Sequence, residues 1–450
     1  MLAFAWILHA ELQRMYGMTS PAWDLAYDQQ VIWNFTQGRG FYSSYANADF
    51  LGIHFELIFV AIGVIEKLWP SPVVLLAISA SGLASTAPAA YLFFRTMLPE
   101  GRVSPWLAAA LSSTLPFWAA TQEAARDFFH PETMALTFAL LAAWAGARGH
   151  RKTMWAFALL TLTCKEDQVY TIGVLGLFVL FHGAPQLRPH GRYLIALSVG
   201  WLLIGVGIVQ QLIRNGGYSD FVYYGTLILH PSVGFVLGAV FGSSALLTVA
   251  AIIAGMLGLP LLAPRWLLLV LPPYLANTLS THFPQPYLHL HYVLLLMFPL
   301  IVAGGIGANR FATWKSFQAL RPAMMLLAIV PALLIGYATG RLPPSLRSTA
   351  GDYARTDTRA ELRHATSMVP DGAPVSADNG VSVWFANRPT ISDFPDQLQD
   401  SMYVVLDHDP YLSGPTNPTL RAATATQLPL SGRRMLFDDG RFQVWSPVGS

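Results

Sequence analysis

Charge is scarce in this 450-residue chain: only 12% of residues are Asp, Glu, Lys or Arg, and the net charge is +2. So small a positive excess leaves no electrostatic footprint for nucleic acid. Cysteine is nearly absent. Cys164 stands alone, so no intramolecular disulfide can form and no metal-binding Cys spacing exists. It reads as a small buried apolar residue. No glycine-rich loop of the P-loop kind is present, which leaves ATP-driven transport without support. There is no convincing Ser-His-Asp spacing, no internal repeat and no low-complexity tract. The opening run LAFAWILHAELQ is followed by no small-residue cleavage site. It reads as a shortened first span rather than a signal peptide, with the native start possible upstream.

What the chain does have is length in its apolar runs. Hydrophobic residues make up 54% of it, and runs such as Tyr193 to Ile213 and Val233 to Leu257 can each cross a hydrocarbon core as a helix. Repeated runs of this kind predict an α-helical polytopic membrane protein and not a β-barrel. About eleven spans are expected: residues 1–18, 72–95, 103–119, 133–147, 152–164, 169–182, 193–213, 233–258, 265–278, 291–307 and 322–339.

Alternate loops differ in character. One set holds Arg95, Arg102, Arg148, Arg151, Lys152, Arg188, Arg192, Arg265, Arg310, Lys315 and Arg321, and is expected to be cytoplasmic. The other set holds Asp24, Asp28, His54, Asp127, His130, Glu132, Lys165, Glu166, Asp167, Asp220, His230 and the His282–His291 stretch, and is expected outside. The acids and histidines thus gather on one side of what is expected to be a plasma membrane. Residues 54–69 would reverse every later loop if they spanned, so they read as an amphipathic helix at the outer interface. Residues 28–38 predict another, ended by Gly38 and Gly40.

After Tyr337 the composition turns polar. Residues 375–397 read as strand, short helix, strand; Met402 to Asp407 reads as a buried strand; Arg434 to Trp445 reads as a hairpin turning at Asp438, Asp439 and Gly440. The expected division is a transmembrane domain, 1–339, with an outer loop at 19–71, followed by a small extracytoplasmic α/β domain, 340–450.

In so apolar a chain, ionisable residues near the spans are candidates for function. Asp24 and Asp28 share a face if their helix continues. They suit a general base, a divalent-cation site or an ordinary helix cap. In FFHPE, Pro131 favours a first helical turn and aims His130 and Glu132 at the outer surface, for a phosphate, a metal or a sugar, or simply as a helix start. The run Lys165-Glu166-Asp167 joins two short spans. Lys165 could neutralise a lipid phosphate as a point charge, with Glu166 pairing to it or orienting a second group, or the run could be a salt-bridged turn. His289 and His291 alternate, so a strand or turn would put both on one side, where zinc is an option. Arg214 and Arg341 are outer cations that could meet phosphate or lie on the surface.

The series YDQQVIWN, LGIHFE, FFHPET, TCKEDQ and LHLHY, together with VPDGAPVSADN and YVVLD, resembles the DUF2079 family of bacterial and archaeal membrane proteins. The resemblance covers nearly the whole chain. Ala26 departs from it, where the family usually has glycine. That family is similar in layout to the C-type glycosyltransferases, polytopic enzymes that use polyprenyl-phosphate-linked sugars outside the cell and carry an essential acid in the first outer loop. The resemblance implies Asp24 and Asp28 as catalytic residues. It implies His54, His130, Glu132, Lys165, Glu166, Asp167, His291 and Tyr292 as substrate-binding residues. It also implies a polyprenyl-phosphate sugar donor and a glycan, lipid or protein acceptor outside the membrane. A divalent cation is a candidate cofactor. The alternatives are a transporter or lipid-handling protein, which predicts charges spread through the bilayer and a duplicated half, and a scaffold acting through its outer domain.

Overall fold

In the computed structural model the described residues are all those outside 215–222, 231, 315–321, 354, 411–416 and 450. Asp220, Lys315 and Arg321 therefore lie outside the described residues. The chain is mostly helical. In order come α1 (Leu2–Tyr16), α2 (Tyr27–Thr36), α3 (Phe59–Glu66), α4 (Pro72–Met97), α5 (Ser104–Ser113), α6 (Ala119–Arg126), α7 (Glu132–Arg148), α8 (Arg151–Cys164), α9 (Val169–His182) and α10 (Arg188–Gly200), then further helices to Thr339. Four stretches are long and apolar enough to cross a membrane among the described residues: Pro72–Met97, Pro185–Arg214, Val233–Gly255 and Leu290–Ala312. The last is almost wholly buried and Val233–Gly255 is largely exposed.

Two compact units make up the chain, and neither is a single stretch of sequence. The first comprises Met1–Ile7, Ile53–Ile58 and Ile78–Ser348. Its helices pack closely through glycine. A Cβ on Gly307 would fall 1.9 Å from the Leu259 carbonyl oxygen, and one on Gly176 2.8 Å from that of Gly191. Small residues at such crossings let backbones touch, the usual basis of helix association in lipid. Gly149, at φ 84°, ends α7 in a conformation that favours glycine.

The second unit comprises Leu8–Gly52, Phe59–Ala77 and Thr349–Ser450. A short antiparallel pair, β1 (Tyr42–Ser43) and β2 (Ala48–Asp49), accompanies a five-stranded mixed sheet in which β3 (Val375–Ala377), β4 (Ile391–Asp393) and β5 (Tyr403–Asp407) are parallel and β6 (Met435–Asp438) and β7 (Phe442–Trp445) form an antiparallel hairpin, in the order β4-β3-β5-β7-β6. Phe394, Val404, Leu406, Leu428 and Trp445 fill one core cluster. The glutamines of YDQQVIWN belong to this unit's framework. Gln29 Nε2 donates to Glu66 Oε2 at 3.0 Å and Asn387 Oδ1 at 2.9 Å. Gln30 Nε2 donates to Ser44 Oγ at 2.7 Å, and Ser44 Oγ donates to the Ile391 carbonyl at 2.6 Å. The unit boundary near the C-terminal domain falls at Ser348/Thr349, and most of 19–71 joins residues 349–450 in one compact body.

The expected helix over 54–69 is shorter than the sequence suggested. Only Phe59–Glu66 is helical, and His54 to Ile58 belong to the first unit. The Phe55 N–H donates to Glu166 Oε2 at 2.8 Å and the Ile58 N–H to the Thr163 carbonyl at 2.9 Å, so tertiary bonds take the donors a helix would have used.

Candidate functional site

The FFHPE segment is held by α4. Ser79 Oγ donates to the Phe128 carbonyl at 3.1 Å, and Thr137 Oγ1 donates to the Gly82 carbonyl at 2.8 Å. A Cβ on Gly82 would sit 2.7 Å from the Thr133 carbonyl oxygen, so only glycine allows this approach. Phe128 is fully buried at φ 63°, a left-handed conformation that a bulky residue adopts only when its surroundings force it. Asp127 caps the end of α6, Pro131 at φ −58° precedes α7, and Glu132 opens α7. Four residues thus turn the chain sharply enough for Asp127, His130 and Glu132 to converge.

Two other segments supply the rest. Lys165 follows α8 with extended backbone, and its Nζ donates to Glu132 Oε1 at 2.5 Å while lying 3.4 Å from His291 Nε2. His291 Nδ1 donates to Asp127 Oδ2, and His130 Nε2 reaches the same oxygen at 3.1 Å. The two imidazoles stack with centroids 3.9 Å apart. Tyr292 packs on His291, and its ring lies 6.0 Å from Lys165 Nζ. Glu166 bonds His54 Nδ1 at 3.2 Å. Lys165 is 8% exposed, Asp127 5% and Glu132 3%.

Burial alone would lower the Lys165 pKa, but Glu132, Asp167, Glu56 and Glu166 hold it well above its usual value. Burial would raise Asp127, but His130 and His291 keep it well below the carboxylate range. For Glu166, burial is outweighed by His54 and Lys165, and its pKa falls. Asp167 goes the other way. Burial, with Glu132 and Glu166 nearby and Lys165 opposing, pushes it up to about 7. Four carboxylates thus surround one lysine, an acidic balance that favours a further cation.

Asp127, His130 and His291 supply such a place. Each offers one ligand atom, and the three atoms lie within 4.8 Å of one another. A carboxylate oxygen with two imidazole nitrogens is a donor set suited to zinc and similar divalent metals. Beside the cluster is a cavity of about 210 Å³ lined by His54, Lys165, Glu166, Asp167, Arg214 and Tyr292, among others.

Of the residues expected from sequence, His54, His130, Glu132, Lys165, Glu166, Asp167, His291 and Tyr292 all lie in the first unit, in and around this cluster. Asp24 and Asp28 lie in the second unit, Asp24 half-buried in a π-helical turn, Ala22–Ala26, that runs into α2, and Asp28 buried on α2. Two expectations change and one open alternative narrows. Glu132 is buried rather than turned to the surface. Of the two roles open to Glu166, partner of Lys165 or orienting a second group, the geometry matches the second: Lys165 pairs with Glu132, and Glu166 bonds His54. His289 and His291 part: positive φ at Leu288 (54°) and Leu290 (60°) breaks the alternation, His291 enters the cluster, and His289 Nε2 lies 3.2 Å from Ser244 Oγ. Asp127 is the residue the sequence reading left out of the site. Its signal was a carboxylate three residues before a histidine in a charge-poor chain.

The model of the family described as a predicted membrane protein, DUF2079, matches residues 14–426. No curated protein sequence matches. Among solved structures, ArnT from Cupriavidus metallidurans bound to undecaprenyl phosphate is similar over 100% of this chain and 98% of its own, with a TM-score of 0.50 and 12% identity. Its apo structure covers 98% of this chain and 97% of its own, at a TM-score of 0.48 and 13% identity.

Proposed function

This chain belongs to the DUF2079 family of predicted membrane proteins, and on that premise we propose that it is a C-type membrane glycosyltransferase moving a sugar from a polyprenyl-phosphate donor to an extracytoplasmic acceptor, with inversion. The observation that carries the proposal is the gathering of His54, His130, Glu132, Lys165, Glu166 and His291 from four separated segments into one buried cluster beside a cavity. The likeness in fold to ArnT, bound in its structure to undecaprenyl phosphate, supports the donor class.

In this reading the chain crosses the plasma membrane about eleven times. Residues 340–450 stand outside and present or select the acceptor. Asp24 is the general base: it takes the proton of an acceptor hydroxyl as that oxygen attacks the anomeric carbon and the bond to the lipid phosphate breaks. Asp28 assists it. Lys165, with His130, offsets the charge that develops on the leaving phosphate, the electrostatic role that usually matters most. Glu132 holds Lys165 in place, while Glu166, Asp167, His291 and Tyr292 shape the pocket. A divalent cation at Asp127, His130 and His291 would add positive charge where carboxylates outnumber lysine.

The test is transfer by the purified, reconstituted protein from a panel of polyprenyl-phosphate sugars. One donor should be used, and Asp24→Asn should slow transfer roughly 10²–10⁴-fold, the usual worth of a general base, with unfolding unchanged. Undiminished transfer by Asp24→Asn would sink the base assignment; no transfer from any donor by folded protein would sink the reading. Chelation should depress wild-type transfer, and Asp127→Asn should abolish any rescue by zinc.

A further inference from the structure

The first unit holds a second, larger cavity of about 630 Å³.

The walls are mostly small or apolar residues of three helical segments: Ala119 and Ala120 of α6, Ala251 and Gly255 of the Val233–Gly255 stretch, and Ile335 and Gly336 of Ile329–Thr339. One end is polar. Arg341 Nε donates to Glu123 Oε1 at 2.9 Å, and Glu123 Oε2 also lies 3.7 Å from Arg126. Arg347 lines the same end, is exposed, and has no ion pair among the described residues. Two arginines and one glutamate therefore line this cavity, and the glutamate is already paired with Arg341. The Val233–Gly255 wall is largely exposed and apolar, the character of a lipid-facing helix.

The segment 288–293 contributes to both cavities. Leu288, His289 and Val293 line the larger one, and Tyr292 lines the smaller. A transferase needs two substrate sites, and these two differ in chemistry: charges of both signs, Glu166 and Asp167 with Lys165 and Arg214, line the smaller, while the larger joins an apolar slot to an end that carries Arg341 and Arg347.

We propose that the larger cavity binds the acceptor, and that the acceptor is a lipid with an anionic headgroup, its head on Arg341 and Arg347 and its chain along the Val233–Gly255 stretch. Naming this ligand the acceptor rests on the transferase reading above. Arginine forks match phosphate and carboxylate oxygens, and small-residue walls leave room for a chain.

The test uses the full-length protein in neutral detergent, with thermal stabilisation read against short-chain phosphatidylglycerol, short-chain phosphatidylcholine and a polyprenyl phosphate. Phosphatidylglycerol should stabilise the wild type and phosphatidylcholine should not. Arg347→Gln, which breaks no ion pair, should weaken the phosphatidylglycerol response roughly tenfold or more, the worth of a charge-assisted hydrogen bond. Arg341→Gln should weaken it further. Polyprenyl phosphate should add its own shift to protein saturated with phosphatidylglycerol, and Arg347→Gln should leave that shift alone. Equal responses to the two phospholipids, an unchanged response in Arg347→Gln, or competition between phosphatidylglycerol and polyprenyl phosphate would each overturn the proposal. A phosphatidylglycerol response with none to polyprenyl phosphate would instead count against the transferase reading, and leave an anionic-lipid site of another use.

Discussion

Lys165 is the residue on which the cluster turns. Its ammonium is buried against Glu132 with three further carboxylates nearby. Removing one partner of a buried pair leaves the other charge without compensation, which costs about 3–5 kcal/mol. Lys165→Met should destabilise the protein by that order in detergent unfolding, and Lys165→Met with Glu132→Gln should recover most of it. Simple additivity of the two single changes would show that the pair is not a unit. Asp167 makes a separate prediction. Its folded pKa of about 7 lies above the ordinary 3.8. Between those values the folded protein keeps a proton that the unfolded chain has lost. Its contribution to stability therefore falls as pH rises through that window and levels off above it. Asp167→Asn should flatten this slope and raise the melting temperature at pH 8; an unchanged pH profile would refute the assignment. Most residues of this cluster, though not Asp127, were legible because charge is scarce near the apolar runs. Their pairing was not, because Lys165 and Glu132 are 33 positions apart, and nothing local distinguishes that partner from adjacent Glu166.

At the scale of elements, what positions the site is the contact of α4 with the start of α7. Gly82 brings the two backbones together, and Ser79 fixes the Phe128 carbonyl. Gly82→Val would force its side chain onto the Thr133 carbonyl. Overpacking of this kind costs about 1–3 kcal/mol, and the shift would move Glu132 away from Lys165. The variant should lose both stability and, in the transfer assay, activity; full activity would mean that the approach of α4 does not position the site. Neither Ser79 nor Gly82 stood out in the sequence, since small residues are common in apolar helices and only the partner helix gives them meaning. Helix ends were more legible. Gly38 and Gly40 follow α2 at φ 75° and 68°, as their place in the sequence suggests. The hairpin of β6 and β7 likewise turns near Gly440. The 54–58 segment misled for the opposite reason: its hydrophobic pattern suits a helix, but Glu166 and the Thr163 carbonyl take its N–H groups.

At the scale of the whole molecule, the interleaving of the second unit decides what a truncation would do. The polar turn in composition after Tyr337 suggests a separable C-terminal domain. Yet residues 349–450 share one compact unit with residues 8–52 and 59–77. The Ala22 N–H donates to Asn379 Oδ1, Ser44 Oγ exchanges hydrogen bonds with the backbone of Ile391, and Gln397 Nε2 donates to the Tyr45 carbonyl at 2.9 Å. A Cβ on Gly380 would fall 2.0 Å from the Met18 carbonyl oxygen, so this contact is backbone against backbone. Deleting 349–450 would leave several buried polar groups around Asp24 and Asp28 without partners, at about 1–3 kcal/mol each. Composition could not reveal this, because it marks where polarity changes and says nothing of what the polar segment packs on. We therefore expect protein truncated after Ser348 to be aggregated or unfolded on size-exclusion chromatography in detergent, where the full chain gives one sharp peak. A scaffold whose outer domain acts alone makes the contrary prediction, a well-behaved truncated membrane domain. A sharp, thermally stable peak from the truncated chain would show that residues 8–77 fold without the C-terminal sheet, and that its contacts with them are dispensable.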